Sequence, residues 1–438
     1  MACSMANALI DGFHPVAKVA AKPSGANPLD EIPESPARPW LSSVPGRRGP
    51  AHPPSSRGRS GRSRGTGPDP ACPPGSDAAP WGGGRSAHED VGNQPVSAVV
   101  LAGPIGHGAH VGEAHPERPD RVMAAMAGLV DLDLGSDLAR VDVVPAGDDD
   151  LLRVHSRAHL DHLERLAASG GGHIDPDTFV TADSWDTARL AAGAGLAVAA
   201  ELSRQGDGLG VVIARPPGHH ATRRQAMGFC LVNNVAVLAA SLAAAGERVL
   251  VVDWDVHHGN GTQDIFFDDP RVLYVSTHEW PLYPGTGAPD EVGSGAGVGT
   301  TVNLPVPAGA TGDILRRALE AIAAPVVEAF APDWVLVSAG FDAHRADPLA
   351  GLVLSDGDFA ELAALAGSWA PAPGRLVVFL EGGYHLGAVR ASMAATAGRL
   401  VGAGRLPVAP PTSGGRGLGH LEATARRRAR ALEEAGRG

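Results

Sequence analysis

The fold class of this chain follows from the stretch VLVVDWDVHHGNGT at residues 249–262. Its first part, Val249–Asp253, is an apolar run rich in valine and predicts a strand buried on both faces. The preceding segment, Asn233–Gly246, is rich in alanine and leucine and predicts a helix that ends at a glycine cap. A helix followed directly by a buried strand is typical of α/β proteins.

The same alternation of short apolar runs and longer helix-prone segments continues on both sides. Further strands are predicted at Ala98–Ala102, Val211–Ala214, Val272–Ser276, Trp334–Ser338 and Leu376–Leu380. Further helices are predicted over Trp185–Gln205, Asp313–Phe330 and Asp356–Gly367. Strands separated by helices need crossover connections, so we expect a mainly parallel sheet with helices on both faces.

Composition divides the chain into three parts. Residues 1–95 are rich in Pro, Gly, Ser and Arg and are predicted to be a disordered extension, because they cannot bury enough apolar surface to offset chain entropy. Residues 96–401 are predicted to be one catalytic domain. Residues 402–438 are predicted to form a Gly/Pro linker and a short, basic, solvated helical tail.

Overall composition argues against several classes of protein. The formal net charge of −12 disfavours nucleic acid as a direct partner, because phosphate binding needs a basic surface. The three cysteines, far apart in sequence, form no disulfide framework, which favours a reducing, cytoplasmic location. The longest apolar runs fall short of the roughly 20 residues that a membrane span requires, so we expect no membrane partner.

Polar clusters follow four of the predicted strands directly. They read RPPGHHA (215–221), DWDVHHGNGT (253–262), SAGFDAH (338–344) and EGGYH (381–385). In a parallel sheet, ligands bind beyond the carboxyl ends of the strands, so these clusters are expected to share one site.

Two of these clusters hold candidate metal ligands. Asp255 and His257 are two residues apart in an extended segment and so face the same side, and Asp342 follows another strand. Two carboxylates and one imidazole leave an open coordination position, as a catalytic Zn²⁺ requires, with Fe²⁺ and Mn²⁺ as alternatives. The structural alternative is an aspartate that caps a turn beside an ordinary buried histidine.

The other clusters offer acid–base and oxyanion groups. His219 and His220 could supply the base and acid that amide hydrolysis needs. Tyr384, after two glycines, could donate a hydrogen bond to a tetrahedral oxyanion. Alternatively the histidine pair is structural and Tyr384 is a turn residue.

Taken together, the motifs resemble the zinc-dependent histone deacetylase superfamily, and most closely its class II-like branch. The matching strings are HPERPDR (115–121), RPPGHHA, GFCLVNN (228–234), DWDVHHGNGTQDIF, YPGTG (283–287), SAGFDAHRADPL and EGGY, in family order. The resemblance implies a three-layer α/β/α arginase/deacetylase fold with a mainly parallel eight-stranded sheet. It also implies an enzyme that removes acetyl groups from acetyl-lysine or similar amines.

The resemblance assigns a role to each site residue. Zinc ligands would be Asp255, His257 and Asp342. Catalysis would use His220 as general base and acid, His219 as an electrostatic partner oriented by Asp253, Asn260 behind His220, and Tyr384 to polarise the acetyl carbonyl. Phe229 and Tyr283 would flank the substrate channel. A structural K⁺ would be bound by carbonyls of Asp253, Asp255, His257 and the Ser276 region.

Two positions bear on mechanism and substrate. Asn260 replaces the aspartate of many class I members, and a neutral partner should leave His220 uncharged. Leu349 occupies the position where polyamine-selective relatives carry an acidic residue, so an acetylated protein lysine is favoured over a small acetylated amine. The alternatives are an acetylpolyamine amidohydrolase, an arginase-like dimanganese hydrolase and a catalytically silent acetyl-lysine-binding relative.

Two smaller clusters receive separate predictions. His155, His159 and His162 have near-helical spacing and are predicted to lie on a solvated helix face. Asp175 and Asp177 are candidates for a rim that holds the substrate backbone.

Overall fold

The structure, a computed structural model, describes residues 98–112, 115–403 and 408–436. The predicted disordered extension, residues 1–95, lies outside the described residues. Among the described helices, none is long and apolar enough to cross a membrane.

Eight strands of the described chain form one parallel sheet. Its strands are β1 (Val99–Ile105), β2 (Leu138–Arg140), β5 (Leu209–Ala214), β6 (Val249–Asp253), β7 (Val272–Glu279), β8 (Thr301–Val306), β9 (Trp334–Ala339) and β10 (Leu376–Leu380). They lie in the order β2-β1-β5-β10-β9-β6-β7-β8, and every neighbouring pair is parallel. A separate antiparallel hairpin is formed by β3 (Gly171–His173) and β4 (Phe179–Thr181).

Helices pack on both faces of the sheet. They are α1 (Asp120–Val130), α2 (Asp148–Val154), α3 (Arg157–Ala168), α4 (Ser184–Gln205), α5 (Asn234–Ala244), α6 (Asn260–Phe266), α7 (Gly312–Ala318), α8 (Ala324–Phe330), α9 (Asp356–Ser368), α10 (Leu386–Leu400) and α11 (Leu418–Ala435). Side chains from α1, α7, α9 and α10 form one core layer with one face of the sheet. Side chains from α2, α3, α4 and α5 form the second layer on the other face.

The central strands are apolar throughout because both of their faces are covered. In β6, Leu250 and Val252 belong to one core layer, whereas Val249 and Val251 belong to the other. All four side chains are almost completely buried. The observed architecture is therefore the three-layer α/β/α arrangement that was predicted.

Sheet order also places the four polar clusters together. The strands that precede them, β5, β10, β9 and β6, are consecutive neighbours at the centre of the sheet. Because all four are parallel, their carboxyl ends lie at the same edge.

Sequence-based boundaries differ from the structure in several places. The short strand β2 and the edge strand β8 were not predicted. The predicted helix Asp313–Phe330 is interrupted by a π-helical turn at Leu319–Ala323. Pro325 lies in the first turn of the α-helix that follows, where its missing N–H leaves no hydrogen bond back to the preceding turn.

The predicted C-terminal helix is present and most of its residues are exposed, but one side of it is buried. Leu421, Thr424 and Arg428 of α11 are buried. The Arg428 guanidinium donates hydrogen bonds to the carbonyls of Gly299 and Thr301, at the start of the edge strand β8. The helix docks because its small apolar side and this arginine together cover the edge of the sheet.

Candidate active site

Asp255, His257 and Asp342 converge at the carboxyl edge of the sheet. One ligand atom from each residue lies within 4.8 Å of the others. His257 Nδ1 is 3.1 Å from Asp255 Oδ1 and 3.2 Å from Asp342 Oδ2. Burial opposes protonation of His257, but the hydrogen bonds and charges of Asp255 and Asp342 outweigh it and raise its pKa to about 10. Both carboxylates thus face the same imidazole nitrogen.

Two glycines make room for these carboxylates. A Cβ at Gly340 would overlap the Asp255 carboxylate, and a Cβ at Gly382 would overlap the carboxylates of both Asp342 and Asp255. The Gly382 N–H donates to Asp255 Oδ2 over 2.8 Å. This cradle of two carboxylates and one imidazole fits a divalent metal ion, and its donor set suits Zn²⁺ or Fe²⁺.

His219 is held by a carboxylate. Its Nδ1 lies 3.0 Å from Asp253 Oδ2, which also accepts a hydrogen bond from the Tyr274 hydroxyl over 3.1 Å. Burial disfavours the charged imidazole, but Asp255 and Asp253 overcome this and raise the pKa of His219 to about 10. His219 therefore holds its proton at neutral pH.

His220 is held by an amide instead. Its Nδ1 lies 2.8 Å from Asn260 Oδ1, which can only accept, so Nδ1 carries the hydrogen and Nε2 keeps a free lone pair. Burial, together with the neighbouring imidazoles of His219 and His257, lowers the pKa of His220 well below its usual value. Two imidazoles of very different basicity therefore lie side by side, with ring centroids 4.0 Å apart.

Tyr384 lies beside the ring of Phe229, edge to face, with centroids 5.8 Å apart. The guanidinium carbon of Arg121 is 4.9 Å from the Tyr384 ring centroid. Burial raises the pKa of Tyr384 although Arg121 opposes the shift, so the phenol stays a hydrogen-bond donor.

Two of the three predicted channel residues lie against His220 and Tyr384. Phe229 adopts a left-handed conformation (φ 68°), and its N–H donates to Thr178 Oγ1 over 3.2 Å. The Tyr283 ring meets His220 edge to face at 5.2 Å. Leu349 is half-buried. Its backbone N–H donates a hydrogen bond to Asp347, whose carboxylate also bonds to Tyr384 N–H.

Five buried charged residues at this edge were not assigned from sequence. The Arg121 side chain bonds to the carbonyls of Gly383 and Glu381 and to the Glu117 carboxylate. Glu117 also pairs with Arg215, and these arginines hold its pKa at about 2 although burial would raise it. Glu381 accepts a hydrogen bond from Gly218 N–H, and Asp347 accepts one from Tyr384 N–H. The only sequence signal was their position inside the quoted motifs.

The Asp347 carboxylate connects its own loop, which contains Leu349, to the segment that contains Tyr384. One oxygen accepts from Tyr384 N–H over 2.6 Å and the other accepts from Leu349 N–H over 3.1 Å. Burial and the charge of Asp342 raise the pKa of Asp347 to about 7.

The prediction that His155 and His159 are solvated is wrong, whereas His162 is exposed. His155 Nδ1 donates to the Thr222 carbonyl over 2.9 Å, and its Nε2 accepts from Asn233 N–H over 3.0 Å. His159 Nε2 donates to the Leu231 carbonyl. Both rings are buried because they bond to the two ends of the segment 222–233, which contains Phe229.

Asp175 and Asp177 lie next to Thr178, which contacts Phe229. The Thr178 hydroxyl, which accepts from Phe229 N–H, donates to Asp177 Oδ1 over 3.1 Å. Burial and the neighbouring Asp175 raise the pKa of Asp177 to about 6.

Known proteins share this sequence and fold. The Histone deacetylase domain family matches residues 115–400. Histone deacetylase 10, chloroplastic, of Oryza sativa is 43% identical over 308 residues, which cover 66% of this chain and 70% of the rice protein. A probable deacetylase of Archaeoglobus fulgidus is 40% identical over 278 residues, covering 62% of this chain and 77% of that protein.

A bacterial relative and a solved structure support membership of the same family. Histone deacetylase-like amidohydrolase of Pseudomonas aeruginosa is 41% identical over 246 residues, covering 55% of this chain and 64% of that protein. The crystal structure of the HDA15 HD domain matches with a TM-score of 0.68 and 35% identity, covering 77% of this chain and 94% of that one. The eight-stranded sheet is thus the arginase/deacetylase fold, and the chain belongs to the histone deacetylase family.

Proposed function

We propose that the protein is a zinc-dependent deacetylase that hydrolyses the acetyl amide of acetyl-lysine side chains. The observation that carries this proposal is the convergence of the Asp255–His257–Asp342 ligand set with a neutral His220. Family membership supports hydrolysis of an acetylated amine.

The metal would be held by Asp255, His257 and Asp342, whose donor set favours Zn²⁺, with Fe²⁺ as the alternative. When bound, such an ion supplies Lewis-acid polarisation of a carbonyl and acidifies water. A structural K⁺ is also proposed near Asp253 and Ser276, which pair across β6 and β7.

The chain's own residues provide the proton transfers. His220 accepts a proton from water through its free Nε2 and returns a proton to the departing amine. His219, held protonated by Asp253, contributes positive charge beside the tetrahedral oxyanion. Tyr384 donates a hydrogen bond to that oxyanion, and Phe229 and Tyr283 flank the aliphatic stem of the substrate.

Leu349 supports acetyl-lysine as the substrate class. A leucine offers no carboxylate to a distant ammonium, so acetylated polyamines gain no charge pair at this position. An acetylpolyamine amidohydrolase is therefore the second candidate. An arginase-like dimetal enzyme is disfavoured, because the described residues contain one such ligand group.

The partners and location follow as proposals. Acetylated protein lysines or small acetylated amines would be substrates, without direct nucleic-acid or membrane binding. A cytoplasmic location stays a prediction, since the name of the rice relative places that protein in the chloroplast.

One experiment separates these candidates. Purified full-length protein of known metal content is assayed with a fluorogenic acetyl-lysine peptide and with N-acetylputrescine, each with and without chelator. We expect peptide turnover that chelator abolishes and Zn²⁺ restores. Preference for the polyamine would establish the second candidate, and binding without turnover would establish a silent acetyl-lysine reader.

A further inference from the structure

Glu381 is a buried carboxyl group that the proposed chemistry does not use. It follows β10 directly and precedes the Gly382-Gly383-Tyr384 segment. Its side chain is almost completely inaccessible to solvent. Burial raises its pKa to about 7, although the charge of His219 opposes the shift.

The Glu381 carboxyl group holds the backbone of the histidine segment. Oε2 accepts hydrogen bonds from Gly218 N–H over 2.7 Å and from His219 N–H over 3.2 Å. The two preceding residues, Pro216 and Pro217, have no N–H to donate. Gly218 and His219 therefore provide the first backbone donors after Arg215, and both bond to Glu381.

A neighbouring strand fixes the carboxyl group in turn. The Ser338 hydroxyl, on β9, donates to Glu381 Oε1 over 3.1 Å. On the opposite side of the histidine segment, the His219 carbonyl accepts from Gly261 and Thr262 N–H at the start of α6. The histidine backbone is thus held between Glu381 and α6.

The backbone around Glu381 forms hydrogen bonds with residues next to Tyr384 and with a candidate metal ligand. Its carbonyl accepts a hydrogen bond from Arg121, and Arg121 Nε also donates to the Gly383 carbonyl over 2.6 Å. The next residue, Gly382, donates its N–H to the metal-ligand candidate Asp255. Glu381 therefore contacts the histidine segment with its side chain, and its backbone shares the donor Arg121 with Gly383, the residue before Tyr384.

We infer that Glu381 is a positioning residue that sets the spacing between the His219–His220 segment and Tyr384 through its two backbone hydrogen bonds. This inference rests on the proposed function for its catalytic consequence. Misplacement of a catalytic group by about 1 Å can lower turnover about 100-fold. Removal of the carboxyl group should therefore reduce kcat while substrate contacts, and so KM, are retained.

The test compares Glu381→Ala with Glu381→Gln in the full chain. Glutamine keeps a carbonyl oxygen for the Gly218 and His219 amides, so E381Q should keep kcat within about 1.5-fold of wild type. E381A should lose kcat about 30- to 100-fold with KM within about twofold and unchanged metal content. Equal kcat in E381A and wild type, or equal loss in E381A and E381Q, would overturn the inference.

Asp358→Ala is the matched control. Asp358 is equally buried and accepts from the backbone amides of Ser355 and Thr412, at the start of α9. D358A should lower thermal stability without changing kcat. If E381A does not fold, Ser338→Ala replaces it: S338A should lower kcat about threefold at constant KM, and an unchanged kcat would overturn the inference.

Hydrogen exchange provides a readout that needs no substrate. In wild type and E381Q, the Gly218 and His219 amides should exchange slowly, whereas in E381A both should exchange at least tenfold faster. If wild type turns over no acetylated amine, the proposed function fails and the exchange rates alone decide this inference. Unchanged exchange in folded E381A or S338A would refute it.

Discussion

At the scale of single residues, the two adjacent histidines after β5 differ through their hydrogen-bond partners. His219 faces the Asp253 carboxylate, whereas His220 faces the Asn260 amide oxygen. A carboxylate stabilises an imidazolium and an amide does so much less. The two neighbouring imidazoles therefore differ in basicity, with the pKa of His219 raised and that of His220 lowered.

This difference predicts unequal effects of substitution. His220→Ala should lower kcat by about 10²- to 10⁴-fold, because general acid–base catalysis is lost. His219→Ala should lower kcat by a smaller factor, because it removes charge but not the base. Steady-state kinetics on acetyl-lysine peptide measures both, with His162→Ala as a surface control. Retained turnover in H220A with abolished turnover in H219A would reverse the two roles.

Tyr384 gives a second prediction at this scale. Tyr384→Phe removes one hydroxyl while the ring keeps its packing against Phe229 and Arg121. Loss of a single oxyanion donor reduces kcat by about 10²- to 10³-fold. Metal content and KM should stay near wild type, which kinetics and metal analysis check. A kcat within about threefold of wild type would exclude Tyr384 as an oxyanion donor.

At the scale of elements, His155 links α2 and α3 to the segment that carries Phe229. Burial, with neighbouring His159, lowers the pKa of His155 from 6.5 to about 3. Between these pH values the unfolded chain binds a proton that the folded chain does not. The stability contributed by the neutral ring is therefore complete above pH 6.5 and is lost progressively as pH falls towards 3.

His155→Gln should reveal this linkage. The stability advantage of wild type over H155Q should shrink by about 2 kcal/mol between pH 7.5 and pH 5, since each pH unit below 6.5 costs about 1.4 kcal/mol. Urea unfolding at both pH values measures the difference. His162→Gln, on the exposed side of α3, should show no such change; a pH-independent difference for H155Q would contradict the linkage.

Two adjacent arginines of α11 provide a matched pair. Arg428 is buried and bonds to the Gly299 and Thr301 carbonyls, whereas Arg427 is exposed and pairs with exposed Asp290. Arg428→Ala leaves two carbonyls unsatisfied and should lower the free energy of unfolding by about 1–3 kcal/mol. Arg427→Ala should cost about 0–1 kcal/mol. Denaturant unfolding measures both, and equal effects would show that docking of α11 does not depend on Arg428.

At the scale of the whole molecule, the proposed metal site joins segments that follow two strands. Asp255 and His257 follow β6, and Asp342 follows β9. A ligand that binds only the folded state stabilises it by about 2.7 kcal/mol at a concentration of 100 Kd. Addition of Zn²⁺ to chelator-treated protein should therefore raise the unfolding midpoint.

The matched variants are Asp342→Asn and Asp333→Asn. Asp333 immediately precedes β9, at the end of the strand away from the site, and pairs with Arg248. D342N should lose the Zn²⁺-induced shift, whereas D333N should keep it. Thermal unfolding with and without Zn²⁺ measures the shift, and an equal shift in D342N and wild type would place the metal elsewhere.

Local sequence was sufficient for the α/β class and for the residues that compose the candidate site. Continuous valine and leucine runs identified β6, β9 and β10, because a strand covered on both faces must be apolar throughout. The polar clusters after these runs identified Asp255, His257, Asp342 and the histidine pair, because chemistry in parallel sheets is confined to strand ends.

Tertiary packing determined the strand order and the burial of several polar side chains, because both depend on which elements become neighbours. Strand order brought β5, β10, β9 and β6 together, and nothing within any one strand specifies its neighbour. The same packing enclosed Glu381, Asp347 and His155, which read locally as ordinary polar residues. These side chains bond to backbone amides and carbonyls of segments that are distant in sequence. The order of residues along the chain does not indicate those partners.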